Sequence, residues 1–197
     1  MTEQYVVRAT KFYCGDESGL DWAGSDEPVW IFTANDVATN EVQTRRSKEF
    51  RNVDSGDSIR FDMDNDNIVW PQSASAAGAP GPIGISVQVW EIDQGNADTI
   101  ASRTQTALNV AAWVPVVGQW IGKVPSKVPD LIGIFVGDDI MGSQSILYSN
   151  RKLRQMVPNT GDKNTTKYHF SGGHGDIPFK LAGEPDYDLY LEVTRVS

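Results

Sequence analysis

Apolar positions along this chain recur mostly at every second residue or in short runs, the period of half-buried strands rather than of helices. The segment Ile85-Ser86-Val87-Gln88-Val89-Trp90 alternates strictly and is the clearest strand. Residues 4–13 alternate more loosely and end at a Gly-Asp turn, while Val29-Trp30-Ile31-Phe32 makes a short apolar strand within 28–33. Residues 41–50 are polar and alternating, the pattern of an edge strand. An Asp-Ser-Gly-Asp turn then leads into a strand at 58–61, and 145–148, 166–170 and 187–194 bring the total to about eight. Short strands separated by Gly, Asp and Pro turns predict an all-β fold, an antiparallel β-sandwich. Residues 71–84, rich in Ala, Ser, Gly and Pro, are expected to be a flexible connection.

One stretch departs from this pattern. Residues 99–113 are Ala-rich without Gly or Pro, which predicts a helix. Pro115, Gly118, Pro125 and Pro129 then interrupt the chain before a second apolar patch at 131–136. The expectation is a single domain, 1–197, whose sandwich carries a helical, Pro-broken insertion near 99–136. At 197 residues the chain suits one domain with a real core, and no internal repeat is evident.

Composition changes the picture by exclusion. One cysteine rules out an internal disulfide framework and a Cys-rich zinc site, and two histidines leave little room for His-based metal or acid–base chemistry. The formal charge of −9 argues against nucleic acid as a partner, because binding it calls for a basic face. Met1 to Tyr5 carries no basic region before an apolar stretch, so no signal peptide is expected. No run of about 20 apolar residues exists to span a bilayer. The expectation is a soluble chain, cytoplasmic or exported by a signal-independent route.

The charge is not spread evenly. Asp16, Glu17, Asp21, Asp26 and Glu27 form one window; Asp54, Asp57, Asp62, Asp64 and Asp66 form a second. Glu91, Asp93 and Asp98 make a third, and Asp138-Asp139 a fourth. These windows hold 15 of the 26 acidic residues and one of the 17 basic ones, leaving −14 there and +5 elsewhere. Gathered carboxylates repel one another unless a cation neutralises them. Oxygen donors without His or Cys suit calcium best. The plainer alternative is that these are turn residues chosen for backbone reasons.

Two segments carry a family resemblance. Asp21-Trp22-Ala23-Gly24-Ser25-Asp26-Glu27-Pro28-Val29 resembles the first calcium loop of C2 domains, Asp-x-x-Gly-x-Ser-Asp-Pro-Tyr-Val, with Glu27 inserted before the proline. The strand ending at Trp90, followed by Glu91-Ile92-Asp93 and Asp98, is similar to the C2 strand and third loop, with Glu91 in place of an aspartate. Gly137-Asp138-Asp139-Ile140-Met141-Gly142 supplies the closing piece, so the 99–136 insertion splits that loop. The matches cover about 25 residues. The resemblance implies a C2-like sandwich binding Ca2+ through Asp21, Asp26, Glu91 and Asp93, with Asp98, Asp138 and Asp139 competing for the remaining places.

Other constellations weigh less. Asp62-Met63-Asp64-Asn65-Asp66 starts like an EF-hand loop but has Asn67 at the sixth position and Ser73 at the twelfth. Ser171 to Asp176 contains Ser, His and Asp, yet no Gly-x-Ser-x-Gly elbow exists in the chain. Cys14 lies beside the acidic loop, where negative neighbours raise a thiol pKa, so it is a poor nucleophile. Arg45, Arg46, Lys48 and Arg51 read as charge protecting a sheet edge, or as an anionic-lipid contact. The expected function is a calcium-binding module, not an enzyme, that engages anionic lipid or another surface ligand through its acidic loops. The alternatives are a membrane-active or toxin-like effector using Trp113, Val116, Val117, Trp120 and Ile121, and a carbohydrate-binding module using exposed Trp22 or Trp70.

Overall fold

Nine strands and one short helix make up the described part of the chain. The computed structural model describes residues 2–17, 25–36, 41–61, 67–71, 78–92, 138–171 and 185–197. Strands β1 (Tyr5–Asp16), β4 (Ser58–Arg60), β5 (Ile68–Trp70), β8 (Lys163–Ser171) and β9 (Asp186–Arg195) form one sheet in the order β4-β1-β9-β8, with β5 pairing along β1. Strands β2 (Pro28–Asp36), β3 (Glu41–Arg46), β6 (Ile83–Ile92) and β7 (Asp138–Tyr148) form the second, in the order β3-β2-β6-β7. The pairings are antiparallel, and the two-sheet antiparallel sandwich expected from the alternation is the fold observed.

The inner faces follow from side-chain alternation. On β9, Tyr187, Leu189, Leu191 and Val193 are fully buried, while Asp186, Asp188, Tyr190 and Glu192 point outward. Opposite them, Trp30 and Phe32 of β2 and Ile85, Val87 and Val89 of β6 fill the core. An aromatic cluster knits the sheets: Phe12 lies 4.9 Å from Phe50 edge to face, and Trp30 lies 5.2 Å from Phe170 and 6.2 Å from Tyr187. Such edge-to-face pairs add about 0.5–1.5 kcal/mol each beyond area burial.

Three features depart from the sequence reading. Strand β6 alternates apolar and polar residues, yet Ser86, Gln88 and Trp90 are buried as well. A polar face can be buried when its groups are paired, and the Trp90 indole donates to Gln88 Oε1 at 3.1 Å. The helix α1 (Asn150–Met156) and strand β5 were not expected; each is too short to show a period, and burial of Leu153 and of Ile68, Val69 and Trp70 holds them. Ser149 caps α1 by accepting from the Lys152 N–H at 3.2 Å. Residues 71–84 were expected to be flexible throughout, whereas β6 begins at Ile83 and Ala79 bridges Tyr5. The expected insertion at 99–136 lies outside the described residues. Its flanks are informative: β6 and β7 pair directly, so the chain leaves and re-enters between neighbouring strands at one end.

Candidate functional site at the acidic end

The register brings the acidic windows together at that same end of the sandwich. Strand β1 ends at Asp16, which pairs with Asp186 at the start of β9. In the other sheet Pro28 pairs with Glu91, and Glu91 with Asp139. Asp26, just before β2, forms a backbone bridge with Val53. The turn 54–57 docks on the end of β1: Gly56 N–H donates to Cys14 O at 2.8 Å, and Ser55 Oγ donates to Gly15 O at 2.8 Å. Gly56 sits at φ +94, a conformation that favours glycine, which explains its place in the turn.

Some of these acids have a structural role. Glu17 Oε1 accepts from Ser55 N–H at 2.6 Å, and Asp57 Oδ2 accepts from Asp54 N–H at 3.1 Å. Asp26 is fully buried, and the Tyr187 hydroxyl donates to its Oδ2 across 161 residues of sequence. Burial, then the hydrogen bond to Asp26, pushes the Tyr187 hydroxyl well above its ordinary pKa. Glu91 is 9% exposed on the β6 edge of this cluster. Of the seven expected metal ligands, the fold thus brings Asp26 and Glu91 to one end, together with the β7 positions of Asp138 and Asp139. Asp21, Asp93 and Asp98 lie outside the described residues.

Cys14 is buried beneath the same end. Burial first, against a lowering hydrogen bond with Tyr187 and with smaller help from the nearby Asp26, Glu17 and Asp16 charges, pushes its thiol up to about 12. Trp70 is 1% exposed, so it cannot serve as the exposed sugar platform that was considered. The expected edge strand is β3, an edge of its sheet among the described residues. The basic run there has local partners: Arg46 donates to Ser47 O at 2.9 Å, Arg51 pairs with Glu49 at 2.7 Å, and Lys48 lies 5.4 Å over the Phe50 ring. His174 and its neighbours, weighed above for catalysis, lie outside the described residues.

The sequence reading missed one group. On the outer face of β8 and β9, His169 Nδ1 lies 3.1 Å from Asp188 Oδ1 and 3.2 Å from Asp186 Oδ1. Among the described residues this is the one group of three or more His, Cys, Asp or Glu side chains whose ligand atoms, within 4.8 Å of one another, suit a metal ion. Strand alternation puts Asp186 and Asp188 on one face, and register puts His169 opposite Asp188. The histidine enters only through strand pairing, which spacing along the chain does not show.

No protein-family model matches the chain. No curated protein matches it either. Solved structures do align over its full length. A C2 domain of plant Extended Synaptotagmin 1 aligns at TM-score 0.42 and 9% identity, over 96% of that chain. Human GIVD cytosolic phospholipase A2 aligns at TM-score 0.42 and 10% identity, over 16% of its length, and a CC2D1B structure at TM-score 0.40 and 9% identity, over 55%. At such scores and identities the functional argument rests on the residues of this chain. Those residues define an antiparallel β-sandwich with an acidic end.

Proposed function

We propose that this protein is a calcium-binding sandwich module, acting by binding rather than catalysis, whose acidic end engages an anionic surface or ligand through the bound metal. The reading rests on one observation: β1, β6, β7, β9 and the residue two before β2 place carboxylate-bearing residues at the same end, namely Asp16, Asp26, Glu91, Asp138, Asp139 and Asp186. Calcium takes six to eight oxygens at about 2.3–2.6 Å and is the hard cation such donors suit. The loop resemblance assigns the remaining donors to Asp21, Asp93 and Asp98. A bound dication leaves coordination positions for phosphate or carboxylate oxygens, so an anionic lipid surface is the partner of first choice.

The test is thermal melting in calcium against chelator. A ligand that binds only the folded state, at about 100-fold above its Kd, adds about 2.7 kcal/mol. For a chain of this size that is a Tm rise of about 5–10 °C. An unchanged Tm in millimolar calcium overturns the metal reading. Sedimentation with vesicles containing phosphatidylserine, with and without calcium, then tests the lipid. Calcium-independent dye leakage from the same vesicles would instead favour an effector acting through 99–136.

A further inference from the structure

We infer that His169, Asp186 and Asp188 form a second metal site, for a zinc-class divalent ion, on the outer face of the β8–β9 sheet. It shares Asp186 with the acidic end but does not rest on the calcium reading, because its donor set is one imidazole nitrogen with two carboxylates, the mix that suits zinc and its neighbours better than calcium.

The geometry carries the assignment. An imidazole Nδ1 holds at most one proton and donates to one acceptor, here Asp188 Oδ1. Yet Asp186 Oδ1 faces the same nitrogen at 3.2 Å, so two carboxylates converge on one atom. Donors around a tetrahedral ion with bonds of about 2.0–2.1 Å stand about 3.3 Å apart, and around an octahedral one about 3.0 Å. The observed 3.1 and 3.2 Å fall between these values. The three ligand atoms lie within 4.8 Å of one another, close enough for a single ion to draw on all of them.

The surroundings hold the donors in place. Asp186 lies against Gly15 of the neighbouring strand, where a Cβ would stand 3.0 Å from its Cγ and 3.1 Å from its Oδ2. A side chain at position 15 would push the carboxylate aside by a few tenths of an ångström. Asp188 turns Oδ2 to Lys167 Nζ at 2.8 Å and presents Oδ1 to the imidazole. The Gln144 amide donates to the backbone carbonyl of His169, tying the β8 strand to β7 in the opposite sheet. With side chains 54% and 44% exposed, His169 and Asp186 leave the outward coordination position open, as in sites that hold a water or an anionic ligand.

The experiment is calorimetric titration of the full chain with zinc chloride alone, in a non-chelating buffer near neutral pH. One equivalent should bind, and His169→Ala and Asp188→Asn should each weaken it at least tenfold while leaving the calcium-induced Tm shift intact. Failure of the calcium shift alone leaves this site standing, and failure here leaves the calcium reading standing. No saturable zinc binding, or binding unchanged by either substitution, reduces the group to a cross-strand ion pair and overturns the proposal. Should either variant fail to fold, His174→Ala carries the test, since its one remaining histidine must shift its ring 15N resonances on zinc addition. Unmoved resonances overturn the site as surely.

Discussion

Asp26 brings a carboxylate to a position with no solvent exposure, where the Tyr187 hydroxyl donates to it from the other sheet. Removing one partner of a buried charged hydrogen bond leaves the other with an uncompensated desolvation cost. Tyr187→Phe is therefore expected to destabilise the fold by about 2–3 kcal/mol, read as a lower midpoint in urea at unchanged m-value. A change within experimental error would mean that Asp26's other partners suffice. This pairing also bears on what the residue can offer a metal. One carboxylate oxygen accepts from Tyr187 within the protein, so under the calcium proposal Asp26 acts first as an anchor for the chain behind it.

At the scale of elements, the joint between the sheets along β7 and β8 depends on close approach. Gly142 of β7 faces Phe170 of β8, and a Cβ at Gly142 would stand 3.1 Å from the Phe170 Cβ. The same joint carries the hydrogen bond between the Tyr148 and Tyr168 hydroxyls at 2.7 Å. Overpacking a filled core costs about 1–3 kcal/mol, so Gly142→Val should lower stability by that amount in chemical denaturation. Because the joint tethers β8, the substitution should also weaken zinc binding at His169. Strand positions were largely legible beforehand: alternation is local, and strands β1, β2, β3, β4, β6, β8 and β9 each overlap an expected segment. The outer half of β7 was not, because Asp138-Asp139 and Gly142 read as turn chemistry until pairing with β6 makes them strand.

For the whole molecule, the buried ionisable groups set an alkaline limit. The Cys14 thiol rises from an ordinary 9.0 to about 12, and burial pushes Tyr148 and Tyr187 far above an ordinary 10.0. A raised folded-state pKa means the unfolded chain releases its proton first. The stabilisation is complete below the unfolded pKa and falls as pH rises toward the folded one. Between pH 9 and 10 Cys14 is the largest single contributor to the slope, at most about 1.4 kcal/mol per pH unit by itself, and the buried tyrosines add to it increasingly as pH approaches and passes 10. Cys14→Ala should flatten the dependence of unfolding free energy on pH between 9 and 10. An identical slope in the variant would assign it elsewhere. The global charge of −9 matters here as well, since most of the excess negative charge lies in four short windows and the fold draws residues from each of them to one end.

Alternation, turn residues and charge windows were written in the linear chain because each depends on residues a few positions apart. They determined an antiparallel sandwich and located its acidic connections. Which acids meet was decided only by register and by the packing of one sheet on the other. Asp26 and Tyr187 are 161 positions apart, and His169 and Asp188 are 19 apart across a strand pairing. Composition with only two histidines gave no sign of an imidazole beside carboxylates; strand pairing alone sets His169 beside two aspartates. Strand period gives the face on which a side chain lies, but only hydrogen-bonded register gives its neighbour.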